Sequence, residues 1–126
     1  MIVLDSGAVS RLSQRTRRAA ALVVALRSAG LWPPVVPTVV LAESTSGTPR
    51  TDTNVNRLLK TCDVDPIVSE AVARRAGQLR ARARRGSAVD ALVVAIAEPG
   101  GTVLTGDPDD LEALAAFSDG VVIERV

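Results

Sequence analysis

Four acidic side chains that stand next to short apolar segments carry most of the chemistry that this sequence allows. They are Asp5, Glu43, Asp90 and Asp107. The 126 residues contain no histidine and a single cysteine, Cys62. This composition excludes a Ser-His-Asp triad, a histidine base and a disulfide framework, and it argues strongly against a zinc site built on cysteine. Any catalysis must therefore use carboxylates, hydroxyls, arginines or a bound ion.

Each of the four acids also has a purely structural interpretation. Asp107 before Pro108 is typical of a helix N-cap with proline at the first helical position. Ser87 and Asp90 have the spacing of a capping box, and Asp5 is placed to cap a following helix. Glu43 follows four apolar residues without a basic neighbour, so it needs a partner, a metal or solvent. The alternative hypothesis is therefore a non-catalytic α/β binding module whose acids are helix caps.

The elements that would position these acids alternate between strands and helices. Apolar runs that end at loops predict strands at 2–4, 35–36, 62–64, 102–105 and 121–124. Helical periodicity and cap signals predict helices over 8–29, 39–46, 52–60, 67–84, 88–97 and 108–116, with Thr38 as an N-cap. This order predicts an α/β fold, a three-layer sandwich with a central, mainly parallel sheet. The length fits one domain over residues 1–126.

The predicted sheet brings the four acids into one region. In open α/β sheets, ligands bind outside the carboxyl ends of the strands. Asp5 and Asp107 follow predicted strands, Glu43 lies on the helix after another, and Asp90 lies near the start of an apolar helix. We therefore expect all four carboxylates to reach the same edge of the sheet.

Basic and acidic residues are distributed unevenly along the chain. Residues 1–86 carry 14 basic and 6 acidic side chains, a net charge of +8, whereas residues 87–126 carry 1 and 8, a net charge of −7. An arginine-rich helix face is most simply solvated, but beside an acidic site it becomes a candidate for binding the phosphates of a polyanion. The main candidates are Arg74, Arg75, Arg80, Arg82, Arg84 and Arg85, and further ones are Arg11, Arg15, Arg17 and Arg18.

Four segments in order give the chain a resemblance to a known family. They are Ile2-Val3-Leu4-Asp5-Ser6-Gly7, the segment from Val36 to Glu43, Asp90-Ala91-Leu92-Val93-Val94, and Leu104-Thr105-Gly106-Asp107-Pro108-Asp109. This pattern resembles the PIN domain, and in size and layout the VapC toxins of VapBC toxin–antitoxin pairs. The resemblance implies an endoribonuclease that depends on Mg²⁺ or Mn²⁺ and is held inactive by a VapB-like antitoxin. It also implies a homodimer.

The resemblance assigns the catalytic and metal-binding roles to Asp5, Glu43, Asp90 and Asp107, with Asp109 as a further metal ligand. It leaves open whether Asp107 or Asp109 is the fourth ligand, because Asp110-Leu111 stands where many members carry an aromatic residue. Crowded carboxylates repel one another unless a cation neutralises them, and Mg²⁺ prefers oxygen ligands. We expect Asp5 and Asp90 to bind the ion directly, and Glu43 and Asp107 to hold water or a second ion.

The apolar runs bear on location and assembly. None approaches the roughly 20 residues of a membrane helix, and the N-terminal residues lack the basic start of a secretory signal. These features predict a cytoplasmic protein with no membrane partner. Apolar residues near Gly30, Leu31 and the segment 51–60 predict more exposed apolar surface than a monomer needs, as at a dimer interface.

Overall fold

The computed structural model describes all residues from 1 to 126, and its centre is a five-stranded sheet. The strands are β1 (Ile2–Leu4), β2 (Val35–Pro37), β3 (Asp63–Asp65), β4 (Thr102–Thr105) and β5 (Val122–Arg125). They are arranged in the order β3-β2-β1-β4-β5, and every pair is parallel. The predicted α/β class is confirmed, and the sheet is wholly rather than mainly parallel.

Seven helices cover both faces of this sheet. They are α1 (Ser6–Ser13), α2 (Arg17–Ser28), α3 (Thr38–Ser44), α4 (Pro49–Leu59), α5 (Glu70–Ala83), α6 (Ala88–Ala97) and α7 (Asp109–Ala115). Helix α1 packs with α2, α3 and α4 on one face, and α5, α6 and α7 pack together on the other. The three-layer arrangement follows from parallel strands, since each crossover must place its helices on a face of the sheet.

The core lies on both sides of the two central strands. Val3 and Val103 are fully buried at paired positions of β1 and β4. Against them pack the nearly continuous apolar surface of α6 and the inner face of α1, which contributes Ala8 and Val9. Strands buried on both faces read as unbroken apolar runs, and this explains why the sequence located β1, β2 and β4 closely.

The predicted helix over 8–29 is wrong, because the chain forms two helices there. Helix α1 ends at Ser13, and Arg15 takes a left-handed conformation with φ 59°. The Thr16 hydroxyl then accepts a hydrogen bond from the Ala19 amide at 3.1 Å and caps α2. The apolar periodicity continues across the break, so periodicity alone could not reveal it. Thr38 is likewise not an N-cap: it is the first residue of α3, and Pro37 occupies the cap position.

The segment 51–60 does not provide the exposed apolar surface that was expected there. Val55, Leu58 and Leu59 of α4 are half-buried and pack against the core. Leu31 does remain 41% exposed. No helix combines the length and the apolarity that crossing a membrane requires.

Candidate functional site

The strand order creates a crevice between β1 and β4 at the carboxyl edge of the sheet. The chain leaves β1 toward the α1 face, whereas it leaves β4 toward α7, which packs with α5 and α6 on the opposite face. Such a switch point leaves a gap between the diverging connections, and ligands of open α/β sheets bind there. Asp5 directly follows β1, and Asp107 comes two residues after β4. The topology therefore brings Asp5 and Asp107, which are 102 positions apart in sequence, to one edge of the sheet.

Two glycines allow the start of α1 to pack directly on the loop after β4. A Cβ atom added to Gly7 would lie 2.8 Å from the Gly106 backbone nitrogen, closer than real Cβ contacts. A larger residue at position 7 would therefore force the two segments apart. The absence of a side chain keeps Asp5 next to Thr105.

The Asp5 carboxylate is held by hydrogen bonds to both of its oxygens. Its Oδ1 accepts from the Ala8 amide at 2.7 Å and so caps α1, and its Oδ2 accepts from the Thr105 hydroxyl. Burial raises the pKa of Asp5 above the ordinary value, and the negative charges of Asp90 and Glu43 raise it further against these hydrogen bonds. The cap that the sequence suggested for Asp5 is confirmed, and it fixes the carboxylate at the crevice.

Thr105 connects the two strand ends. Its side chain is fully buried, and its hydroxyl accepts a hydrogen bond from the Asp107 amide at 3.0 Å while it faces Asp5. The predicted N-cap role of Asp107 is wrong, because Pro108 occupies the cap position of α7 and no side chain caps that helix. The Asp107 carboxylate is exposed and accepts no hydrogen bond from the protein. It is therefore available to a ligand.

Asp90 reaches the crevice from the first turn of α6. This helix leads into β4 and runs against the strand direction, so it begins at the carboxyl edge of the sheet. The capping box is confirmed: Asp90 Oδ2 accepts from the Ser87 amide at 2.9 Å, and the Ser87 hydroxyl accepts from the Asp90 amide at 3.0 Å. The cap uses one carboxylate oxygen and leaves Oδ1 without a protein partner.

Three of the predicted acids line one cavity of about 510 Å³. Its polar side chains are Asp5, Asp90, Asp107, Asp110, Ser6, Ser10, Arg11 and Gln14. The sequence did not lead us to predict Asp110 as a site residue. Its position three residues after Asp107, in the first turn of the next helix, could have indicated that the two side chains lie close together. Arg11 was predicted only as one of several further candidates for phosphate contacts.

Glu43 and Asp109 do not line this cavity. Both side chains are exposed. The Glu43 carboxylate is therefore solvated and needs no protein partner, although four apolar residues precede it in sequence. Its charge still acts on Asp5, whose pKa it raises.

The cavity offers oxygen ligands that suit a hard divalent cation. No group of three or more acidic side chains in the structure stands close enough to hold one ion among them. Mg²⁺ commonly binds through one or two carboxylates and keeps several waters, so it does not need such a group. The free Oδ1 of Asp90 and the nearby Asp5 carboxylate fit this mode of binding.

The arginine-rich segment divides into paired and unpaired side chains. Arg75 forms a bidentate ion pair with Glu98, with a shortest distance of 2.8 Å, at the end of α6 remote from Asp90. Arg85 pairs with Asp110 of the cavity wall at 2.7 Å, and Arg74 pairs with Glu70. The exposed side chains without an ion pair are Arg80, Arg82 and Arg84.

An apolar groove of about 570 Å³ adjoins the acidic cavity. Its apolar lining is Ile2, Leu12, Ala19, Leu22, Leu26, Leu31, Leu104 and Val126. Arg11 and Gln14 line both the groove and the cavity. Its other charged residues are Arg18, Arg125 and one acid, Glu124.

Comparisons with known proteins agree with this fold. The sequence model of the PIN domain matches residues 2–116. The crystal structure of VapBC2 from Rickettsia felis bound to a DNA fragment from their promoter includes a chain similar to this one, with a TM-score of 0.75. The alignment covers 100% of this chain and 99% of that one at 13% identity, which shows a common fold. A search of curated proteins found no match.

Proposed function

The chain belongs to the PIN domain family, and on that premise we propose that it is a metal-dependent endoribonuclease that acts as the toxin of a toxin–antitoxin pair. PIN domains are generally nucleases. The observation that carries the proposal is the cavity at the β1–β4 switch point, where Asp5, Asp90 and Asp107 meet. The similarity to a chain of the VapBC2 structure supports the toxin class.

We assign direct contact with the ion to Asp5 and Asp90. When bound, Mg²⁺ or Mn²⁺ would supply positive charge to the phosphate and lower the pKa of a bound water. Asp5 is prepared for this role, because the Ala8 amide and the Thr105 hydroxyl fix the direction of its carboxylate. Asp90 presents Oδ1 while its cap holds Oδ2.

We assign Asp107 to the water that attacks the phosphodiester. Its exposed carboxylate has no protein partner, so it can accept a hydrogen bond from that water and orient it. Between the two alternatives for the fourth acid, the cavity lining favours Asp107 over Asp109. Glu43 acts at longer range, through its charge or a second ion.

A cleavage assay with matched variants tests this function. Asp5→Asn and Asp90→Asn should each abolish cleavage of RNA in Mg²⁺ or Mn²⁺, because each removes a negative charge from the cavity. Asp63→Asn is the control, since Asp63 is exposed on β3 and lies outside the cavity. Circular dichroism should show that the variants are folded. Cleavage that persists in EDTA or in both cavity variants would contradict the proposal. Asp5 and Asp90 would then act only as helix caps.

We also propose that the apolar groove binds a segment of a VapB-like antitoxin. Three arginines against one glutamate favour a segment with apolar residues for the floor and acidic residues at the rim. Since Arg11 and Gln14 border both sites, a basic residue of that segment can continue into the acidic cavity and compete with a cation there.

Two exposed apolar side chains provide a matched test of the groove. Leu31 lines it and is 41% exposed, whereas Val24 is 63% exposed and lies outside it. Leu31→Asp should weaken antitoxin binding, measured by calorimetry, while Val24→Asp should not. Equal affinities for both variants, or an antitoxin complex that binds Mg²⁺ as well as the free chain, would contradict the proposal. The homodimer that the resemblance implies is tested by light scattering, and a monomer at high concentration would exclude it.

A further inference from the structure

One basic side chain, Arg11, stands within the acidic cavity. It is the only lysine or arginine among the lining residues, which also include the acids Asp5, Asp90, Asp107 and Asp110. Unlike Arg74, Arg75 and Arg85, it forms no ion pair with an acid. Its side chain is exposed, and its guanidinium makes one long contact, 3.5 Å from Nη2 to the Gly106 carbonyl oxygen. Most of its donors are therefore free.

Glycine at position 106 leaves the space that Arg11 occupies. A Cβ atom on residue 106 would lie 2.9 Å from Arg11 Nε and 3.5 Å from its Cδ. Any larger residue would displace the arginine from the loop after β4. Gly106 does not have a positive φ, so its backbone conformation does not require glycine. Glycine at this position therefore lets the Arg11 side chain lie against the loop after β4.

The cavity also presents an electrostatic problem for an RNA nuclease. Four carboxylates line it, and a phosphodiester brings further negative charge. Carboxylates repel that charge unless cations stand next to them. A guanidinium suits this task because its planar donors bind two phosphate oxygens at once and its charge is permanent.

We propose that Arg11 binds the RNA phosphate that enters the acidic cavity, and that Gly106 is the residue that admits it. This inference rests on the proposed ribonuclease function and adds to it the residue that holds the substrate. It separates Arg11 from the other arginines, although the sequence placed it only among the further candidates. Arg11 is a substrate-binding residue here and takes no part in proton transfer.

The first test compares steady-state kinetics of Arg11→Gln with those of Arg50→Gln. Arg50 is exposed on α4, forms no ion pair and lies outside the cavity, so its variant controls for the loss of one positive charge. Loss of a charge-assisted hydrogen-bonded contact should raise KM about 10-fold to 100-fold in Arg11→Gln, with a smaller effect on kcat. Arg11→Lys should recover part of the loss, since it keeps the charge but not the planar donors.

RNA binding without cleavage gives a readout that a purely structural role would not change. In the Asp5→Asn background, Arg11→Gln should reduce the slope of log K against log salt by about 0.7, the value for one lost contact to a single strand. Gly106→Ala should show the same defect, and the double variant Arg11→Gln/Gly106→Ala should be no worse than either single one.

The outcomes separate this inference from the function on which it rests. If the unmodified protein does not cleave RNA in either metal, the proposed function fails. If it cleaves RNA but Arg11→Gln has the KM and salt slope of Arg50→Gln, only the role of Arg11 is overturned. A lower melting temperature of Arg11→Gln with unchanged RNA binding would also overturn it, since that result assigns Arg11 a structural role.

Discussion

At the scale of single residues, the same hydrogen bonds that satisfy local structure also prepare the site. Asp5 caps α1 and Asp90 completes the capping box of α6, yet both carboxylates line the cavity. Capping and metal binding are thus not exclusive alternatives at these positions. The cap fixes one oxygen, and the carboxylate keeps capacity for another contact because each ionised oxygen accepts more than one hydrogen bond.

We expect Asp5→Asn to raise the melting temperature of the metal-free protein by a few degrees at pH 7. The pKa of Asp5 is raised by burial, then by Asp90 and Glu43, so the ionised form costs stability once the pH exceeds the unfolded pKa of about 4. Asparagine removes this charge and still accepts from the Ala8 amide. Mg²⁺ should raise the melting temperature of the unmodified protein and not that of Asp5→Asn. An equal shift in both would contradict a metal site at Asp5.

At the scale of elements, one ion pair joins α5, the end of α6 and the loop before β5. The Arg75 guanidinium binds both oxygens of Glu98 and also donates to the Phe117 carbonyl oxygen at 3.1 Å. Glu98 in turn accepts from the Asp119 amide at 2.9 Å. This ion pair fixes the C-terminal end of α6 against α5 and the loop before β5. It therefore helps to position the whole helix, whose first turn carries Asp90 at the opposite end.

Glu98→Gln should lower the free energy of unfolding by about 1.5–3 kcal/mol, the range for hydrogen bonds to charged groups. The Arg75 guanidinium lowers the pKa of Glu98, so the stabilisation is complete above the unfolded pKa of about 4.3 and is lost as the pH falls through the folded value. Urea unfolding at pH 7 and at pH 3 measures this difference. A variant that loses as much stability at pH 3 as at pH 7 would contradict the ionic role of Glu98.

At the scale of the whole molecule, the uneven charge along the sequence becomes a basic surface next to an acidic cavity. Helices α5 and α6 are consecutive and joined by residues 84–87, so the end of α5 lies near Asp90. Arg80, Arg82 and Arg84 are exposed in this half of the segment, whereas Arg75 is tied to Glu98 at the other end. On the proposed function, we expect RNA phosphates that flank the cavity to contact the second half of the arginine segment.

Replacing Arg80, Arg82 and Arg84 by glutamine should weaken RNA binding about equally across sequences. The slope of log K against log salt should fall by about 0.7 for each lost phosphate contact. A matched triple variant of Arg50, Arg57 and Lys60 removes the same charge from α4 and its C-cap residue, and α4 packs on the α1 face of the sheet. Identical slopes for the two triple variants would show that Arg80, Arg82 and Arg84 do not contact RNA and form only a solvated surface.

The sequence by itself determined the fold class, the central strands and three of the four acids that line the cavity, Asp5, Asp90 and Asp107. Buried parallel strands read as short apolar runs, and an acid that follows such a run must lie at the carboxyl edge of the sheet. This reasoning places Asp5 and Asp107 at that edge from the sequence alone. The capping box at Ser87 and Asp90 was equally visible, because its partners are three residues apart in sequence.

Only the tertiary structure decided which charges face the cavity and which are used elsewhere. The pairing of Arg75 with Glu98, the exposure of Glu43, and the place of Arg11 over Gly106 depend on how separate elements pack. The sequence placed the six arginines of residues 74–85 ahead of Arg11, since charge and periodicity are local properties. Burial, partner distance and the volume left by a missing side chain arise only when residues distant in sequence come into contact, and these properties distinguish Arg11 from the others.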